Sequence, residues 1–277
     1  MFKILSKSFF IPFWPIIPFT LNLASCLSLP SPEADDKHDA ELIKTQSQLI
    51  VSYLNQGLAQ RALKELRVAL LNAPEVPEYN NLMGLTQLSL KNPRKAIVYL
   101  KKSHELKPRI SVSLNLSSAY IQAGQYANAN KLLNSVKSSP VFNRYPYPER
   151  VLHNLGLVAE KQKRAKTAIR NYRLALEENP TFYQSLLRLA KLYIKLGNGA
   201  KGRRAVEAAR KACKICWEPT EILTRIHIDN GRPHLATKVI KDYLAEKNLS
   251  KDNRQRAQQL MRYSSQVGRK ARSTDRL

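Results

Sequence analysis

The sequence predicts an all-α protein, a superhelix stacked from helix–turn–helix units, and three recurrences with a period close to 34 residues predict it. A proline closes several units: Pro74, Pro108 and Pro180. A small side chain precedes each proline by 12 residues, where two helices pack closely: Ala62, Ala96 and Ala168. Glycine recurs where the two helices of a unit would be joined by a turn: Gly57, Gly124, Gly197 and Gly231. Each unit is too small to bury its own apolar face, so stability must come from stacking neighbouring units.

Residues 1–25 have the organisation of a bacterial export signal. Lys3 and Lys7 precede an apolar run over residues 9–24, and small residues follow it. The segment Leu23-Ala24-Ser25-Cys26 resembles a lipobox, which implies cleavage before Cys26 and attachment of lipid, including palmitate, to that cysteine. Leu27 follows where an aspartate often retains lipoproteins in the inner membrane, so the resemblance implies a lipid anchor in the outer membrane facing the periplasm. The alternatives are an ordinary signal peptide with a chance cysteine, or a short membrane anchor.

Residues 26–42 are predicted to form a flexible, acidic spacer. The segment contains two prolines and several carboxylates, and it has too few apolar side chains to form a core. Residues 251–277 are predicted to form a capping helix, which continues to about Val267, and then a basic tail.

The repeating part of the chain resembles the tetratricopeptide repeat. Ile50, Gly84 and Gly156 occupy the position where paired helices approach, and a tyrosine fills the gap between them in several units: Tyr53, Tyr120 and Tyr193. Six units follow from this alignment: 43–76, 77–109, 110–143, 149–182, 183–216 and 217–250. The last two match poorly, as expected near the end of an array.

Arrays of this kind bind partners on a concave surface lined by the first helix of each unit. The residues predicted to line the partner-binding groove in the first three units are Ser47, Val51, Leu54, Asn81, Leu85, Leu88, Leu114, Ser118 and Ile121. The lining becomes mixed in the next two units, with His153, Leu157, Glu160, Leu187, Lys191 and Ile194. The early groove is mostly apolar and suits an amphipathic or extended hydrophobic segment. The alternative for each leucine is packing against the next unit.

No catalytic, cofactor or metal site is predicted. The stretch 197–202 spells G-x-G-x-x-G, but a repeat helix precedes it instead of the strand that a dinucleotide site requires. Cys213 and Cys216, with His227 and His234, lack the spacing of a zinc site. In an oxidising compartment the two cysteines form either a disulfide or two buried thiols. No set of nucleophile and base is recognisable, so the chain is predicted not to be an enzyme.

The charge is strongly positive, +25 for the whole chain. Export argues against nucleic acid as the partner, which leaves anionic lipid headgroups, an acidic protein, or a generally basic proteome without any specific partner. The most concentrated basic segment is the tail, for which a contact with anionic lipid is predicted: Lys251, Arg254, Arg256, Arg262, Arg269, Lys270, Arg272 and Arg276.

The order of these parts resembles the lipoprotein pilotins of type IV pilus systems, the PilF, PilW and Tgl group, over about residues 23–250. The stretch 139–156, SPVFNRYPYPERVLHNLG, is similar to an aromatic and proline insert of that group. The resemblance implies a scaffold that holds an outer-membrane secretin subunit in its groove and supports the assembly of the secretin ring. The basic charge, the cysteine pair and the tail depart from the group. The alternative is another periplasmic lipoprotein adaptor, for example a scaffold for cell-wall hydrolases.

Overall fold

The computed structural model describes residues 32–274, and side chains from 39 to 268. The predicted signal segment 1–25 and the predicted lipid site Cys26 lie outside the described residues. The helices are α1 Pro32–Asn55, α2 Ala59–Asn72, α3 Pro77–Ser89, α4 Pro93–Leu106, α5 Ile110–Gln122, α6 Tyr126–Lys137, α7 Pro148–Lys161, α8 Ala165–Glu178, α9 Tyr183–Lys195, α10 Gly199–Ala212, α11 Trp217–Asp229, α12 Pro233–Leu244 and α13 Lys251–Thr274. Within this part of the chain the fold is all-α, and no helix is both long and apolar enough to cross a membrane.

The chain divides into a short unit, residues 1–42, and a large unit, residues 43–277. α1 begins at Pro32, so residues 32–42 of the predicted spacer are helical. A proline fits the first turn of a helix, and the Ala-Glu-Leu-Ile run from Ala40 favours helix continuation. The last helix also continues beyond the predicted end at Val267, to Thr274, because the added residues include good helix formers.

In the large unit, helices pair where the repeated small residues lie. Ala62, Ala96 and Ala168 are fully buried. A Cβ at Gly84 would lie 2.4 Å from Cγ of Leu100, and one at Gly156 would lie 2.5 Å from Cε1 of Tyr172. Glycine is therefore required at these two positions by close helix packing, as the repeat pattern predicts.

The turn between paired helices uses a left-handed residue in every unit. The glycines predicted at this turn have φ between +67° and +76° in four units. Lys91 and Lys163 take the same conformation, with φ 61° and 60°, in the two units that lack a glycine there. Backbone geometry at this turn is thus more regular than the sequence.

The core is a series of small clusters, each shared by consecutive helices. One cluster joins Ile50 of α1 with Ala62 and Leu66 of α2 and with Leu82 and Met83 of α3. At the other end, α13 buries Ala257 and Leu260 against Ile240 and Tyr243 of α12. Each unit therefore contacts mainly its neighbours, as in other repeat arrays. The all-α fold class predicted from the sequence is confirmed.

Candidate binding groove

Most of the apolar residues predicted to line the early groove pack against the neighbouring unit. Leu54 and Leu85 pack on the cluster around Ile50, and Leu88 packs on the next one. Leu114 is buried in a third cluster and also lines a cavity, and Ile121 packs on the same cluster. These positions follow the alternative given above for the leucines, since a residue on a first helix also faces the following pair.

The other predicted groove residues lie at the surface or in cavities. Val51 is 42% exposed. Ser47 is partly buried, and its hydroxyl oxygen has no hydrogen-bond partner among the described residues. Ser118 lines one cavity and Asn81 another. The accessible part of the groove is therefore more polar than the sequence suggested.

The cavity containing Ser118 has a volume of about 280 Å³ and lies over the third and fourth units. It is lined by residues of α5, the connector, α7 and the start of α9: Ser111, Leu114, Asn115, Ser118, Tyr145, Arg150, His153, Asn154, Phe182 and Gln184. A smaller cavity of about 160 Å³ includes Asn81 and adjoins it through Ser111. Polar side chains from consecutive first helices thus meet on one surface.

The connector between α6 and α7 forms one wall of the larger cavity. A short 3₁₀ turn, Phe142–Arg144, leads into the Tyr-Pro-Tyr-Pro segment. The rings of Tyr145 and Tyr147 pack edge to face with centroids 5.9 Å apart, and the Arg150 guanidinium lies 4.8 Å from the Tyr147 centroid. Prolines limit the backbone freedom of this segment, so Tyr145 is presented in a fixed place.

His153 forms the inner wall and is held by polar and aromatic contacts. Its Nδ1 lies 2.9 Å from the Ser185 hydroxyl, and its ring packs on Tyr172 and Phe182, each with centroids 5.4 Å away. Burial, with a smaller contribution from the Arg188 charge, lowers the pKa of His153 to about 4. The imidazole is therefore neutral near pH 7 and serves as a hydrogen-bonding wall rather than a charged ligand group.

Behind His153, Tyr172 connects α8 to α7. Its hydroxyl donates a 2.6 Å hydrogen bond to Oε2 of Glu160, whose other oxygen lies 3.6 Å from Arg188. Burial first, and then the hydrogen bond to Glu160, raise the pKa of Tyr172 well above its ordinary value. Glu160, predicted to line the groove, is thus engaged in holding two units together.

Amide side chains link successive first helices across the groove. Asn115 donates to Oδ1 of Asn81 over 2.9 Å, and Asn154 donates to the Ser117 hydroxyl over 3.0 Å. Each amide keeps further donor or acceptor capacity. Such groups can form hydrogen bonds with the main chain of an extended peptide. The peptide would then be recognised by hydrogen bonds as well as by apolar contacts.

The cysteines and the glycine-rich stretch have structural roles. Cys213 and Cys216 form a disulfide, with Cα atoms 5.4 Å apart, in the loop between α10 and α11. Gly197 makes the turn between α9 and α10, and Oδ1 of Asn198 accepts a hydrogen bond from the Lys201 backbone N–H at the start of α10. A helix precedes this stretch, so the interpretation as an interhelical turn is confirmed. Among the described residues, no group of three His, Cys, Asp or Glu side chains could hold a metal ion.

The stacked helix pairs and their polar first-helix surface define a tetratricopeptide repeat array, the fold of a protein-binding scaffold. The family description "tetratricopeptide repeat" matches residues 77–110 and, in a second version, residues 159–212. The chain therefore contains tetratricopeptide repeats over these two stretches, within an all-α array of helix pairs. Among curated proteins, none matches the sequence significantly.

Several solved structures share the fold at low sequence identity. PilW, described as a widely conserved type IV pilus biogenesis factor, is 16% identical with a TM-score of 0.61, covering 77% of this chain and 97% of its own. PilF of Pseudomonas aeruginosa is 20% identical with a TM-score of 0.59, covering 79% and 97%. A tetratricopeptide repeat protein of Parabacteroides merdae is 14% identical with a TM-score of 0.60, covering 80% and 84%. At these identities the likeness establishes the fold alone.

Proposed function

We propose that this chain is a lipid-anchored scaffold of the outer membrane that acts as a pilotin. It would hold a secretin subunit of a type IV pilus system in its groove and support assembly of the secretin ring. The observation that carries the proposal is the lipobox-like segment Leu23-Ala24-Ser25-Cys26 placed before a six-unit tetratricopeptide array. A tether and a binding groove on one chain are what a carrier of a membrane-bound partner requires.

The groove geometry supports a protein segment as the ligand. The two adjoining cavities are lined by polar side chains from consecutive first helices and lie side by side along the array. Tyr145 and Phe182 offer aromatic surface beside Asn115 and Asn154, a combination that suits an extended peptide with alternating apolar and polar side chains. The predicted contact residues are therefore those of the third and fourth units and their connector.

The experiment is deletion of the gene, followed by blotting of outer-membrane fractions for heat-resistant secretin multimers. Loss of multimers on deletion and recovery with the wild-type gene is the expected result. Cys26→Ser should remove lipidation, checked by palmitate labelling, and leave the multimers outside the outer membrane. Normal multimers in the deletion strain would refute the pilotin role and favour another adaptor function.

A groove variant separates binding from anchoring. Arg150→Glu combined with Gln184→Glu changes two exposed cavity residues without disturbing the core. It should reduce co-purification of the secretin at least tenfold while the lipid anchor remains. The matched control is Arg173→Glu with Gln255→Glu, an equal charge change at exposed positions outside the groove. Equal loss in both variants would contradict the assignment of the groove.

A further inference from the structure

The positive charge is distributed unevenly between the two helices of each unit. The second helices, α2, α4, α6, α8, α10 and α12, carry 19 Lys and Arg against six Asp and Glu. The first helices α3, α5, α7, α9 and α11 carry six of each sign. Between the two helices of a unit, the excess positive charge therefore lies on the second helix, away from the groove.

Most of these second-helix cations have no carboxylate partner within the described residues. Only Lys102 and Arg203 form an ion pair there, with Glu75 and Glu207. By contrast, three of the six first-helix cations are paired: Arg188, Lys191 and Arg225. Exposed cations without carboxylate partners leave a positive potential that attracts an anionic surface.

Two of the second helices also expose large apolar side chains. Leu71 is 82% exposed, Val68 55% and Val98 65%. On α2, Arg61 and Lys64 precede Val68 and Leu71 at intervals of three, four and three residues, which places all four on one stripe. On α4, Val98 lies between Lys95 and Lys101. All the large exposed apolar residues that the described second helices carry lie on α2 and α4.

We propose that the exposed side of α2 and α4, here called the α2–α4 face, is a docking surface for a membrane bearing anionic lipid headgroups. Basic side chains would contact headgroup phosphates while Val68, Leu71 and Val98 enter the boundary with the acyl chains. Amphipathic helices that lie on membranes combine these two features in the same way. The face does not depend on the partner held by the groove.

The exposed apolar residues distinguish a membrane from other polyanions. Nucleic acid or an acidic protein tail would be held by the cations alone, because phosphate and carboxylate groups gain nothing from an exposed leucine. A lipid surface binds both parts, each basic group contributing electrostatic attraction and each apolar group a buried area. The α2–α4 face offers both within two adjacent units.

The test uses residues 27–277, which retain all described helices and lack the apolar leader. Sedimentation with vesicles of phosphatidylglycerol and phosphatidylethanolamine should pull the protein down at low salt, and vesicles of phosphatidylcholine should not. The face variant is Arg61→Gln, Lys64→Gln, Lys95→Gln and Lys101→Gln together. Its binding should be weaker by at least about tenfold, since each basic group near an anionic leaflet contributes measurably.

The matched control removes four exposed cations that lie outside the second helices and outside the tail: Lys161→Gln, Lys195→Gln, Lys214→Gln and Lys247→Gln. Net charge is then identical in the two variants, so only position differs. The control should keep most of the binding. Equal losses would mean that net charge alone drives the interaction and would overturn the proposal. A larger loss in the control would also overturn it, because the contact would then lie on other surfaces.

A fluorescent label tests insertion directly. Residues 27–277 contain only Cys213 and Cys216, which form the disulfide, so Leu71→Cys supplies a single free thiol for an environment-sensitive dye. Its emission should shift to the blue on adding anionic vesicles, and a dye at Leu196→Cys, 54% exposed at a turn, should not shift. No shift at position 71 would contradict a membrane face. So would a short duplex DNA that binds as tightly as the vesicles do, with an affinity that Val68→Ser and Leu71→Ser leave unchanged.

Discussion

Replacing Gly156 by alanine should destabilise the fourth unit, because the added methyl group has no space. Its Cβ would lie 2.5 Å from Cε1 and 2.6 Å from Cδ1 of Tyr172. That ring is fully buried, is hydrogen-bonded to Glu160 and packs on His153, so it cannot move aside. Overpacking of a fixed core costs about 1–3 kcal/mol, and the upper end applies here.

The better helix propensity of alanine returns about 1 kcal/mol, which leaves a net loss of about 2 kcal/mol. For a chain of this size that loss lowers the Tm by about 4–8 °C, measurable by circular dichroism. Gly199→Ala is the matched control, because nothing lies within 4 Å of a Cβ there, and its Tm should be unchanged or slightly higher. In the Gly156→Ala background, Tyr172→Leu should recover part of the loss. An unchanged Tm for Gly156→Ala alone would refute the close-packing argument.

Three further predictions concern other positions. His153 has its pKa lowered to about 4 in the folded protein, so the unfolded chain binds the extra proton between pH 6.5 and 4. Stability is full above pH 6.5 and should fall by roughly 3 kcal/mol toward pH 4 in urea titrations, less so in His153→Gln. Lys163→Gly should raise stability by about 0.5 kcal/mol by relieving a left-handed residue, whereas Arg170→Gly, at an exposed position in the middle of α8, should lower it by about 1 kcal/mol in the same assay. Cys213→Ser with Cys216→Ser should lower the Tm only modestly, since the loop is short and constrains the unfolded chain by about 2 kcal/mol at most.

The helix pairs were predictable because close helix packing restricts certain positions to small residues, and these recur in the sequence. Ala62, Ala96 and Gly156 lie where two backbones approach, and only small residues fit there. Where the backbone conformation can be adopted by a residue other than glycine, the sequence carries no recognisable signal. Lys91 and Lys163 occupy the left-handed turn position without a glycine, so sequence reading alone could not find these two turns.

The groove was less predictable because a first-helix residue faces two environments. Leu54 and Leu85 have the spacing of groove residues, yet they pack on the core cluster around Ile50. Charged substitutions at these two leucines are therefore expected to unfold the units rather than to weaken binding alone. Tyr145 and Phe182 were missed as lining residues, because they lie in the connector before α7 and directly before α9, outside the first-helix positions that the repeat pattern assigns to the groove. For Tyr145, the aromatic and proline composition of the connector was the only signal available.

The last helix has a consequence for how copies of the chain meet. A stack of similar units has no inherent end, since the side that one pair offers to its successor would accept a pair from another molecule. Here α13 occupies that side of the sixth unit, with Ala257, Leu260 and Ser264 buried against α12 and the Ser264 hydroxyl donating to the Pro233 carbonyl over 3.0 Å. The array is thus closed to head-to-tail polymerisation at its C-terminal end, and a filament could grow there only after α13 had been displaced.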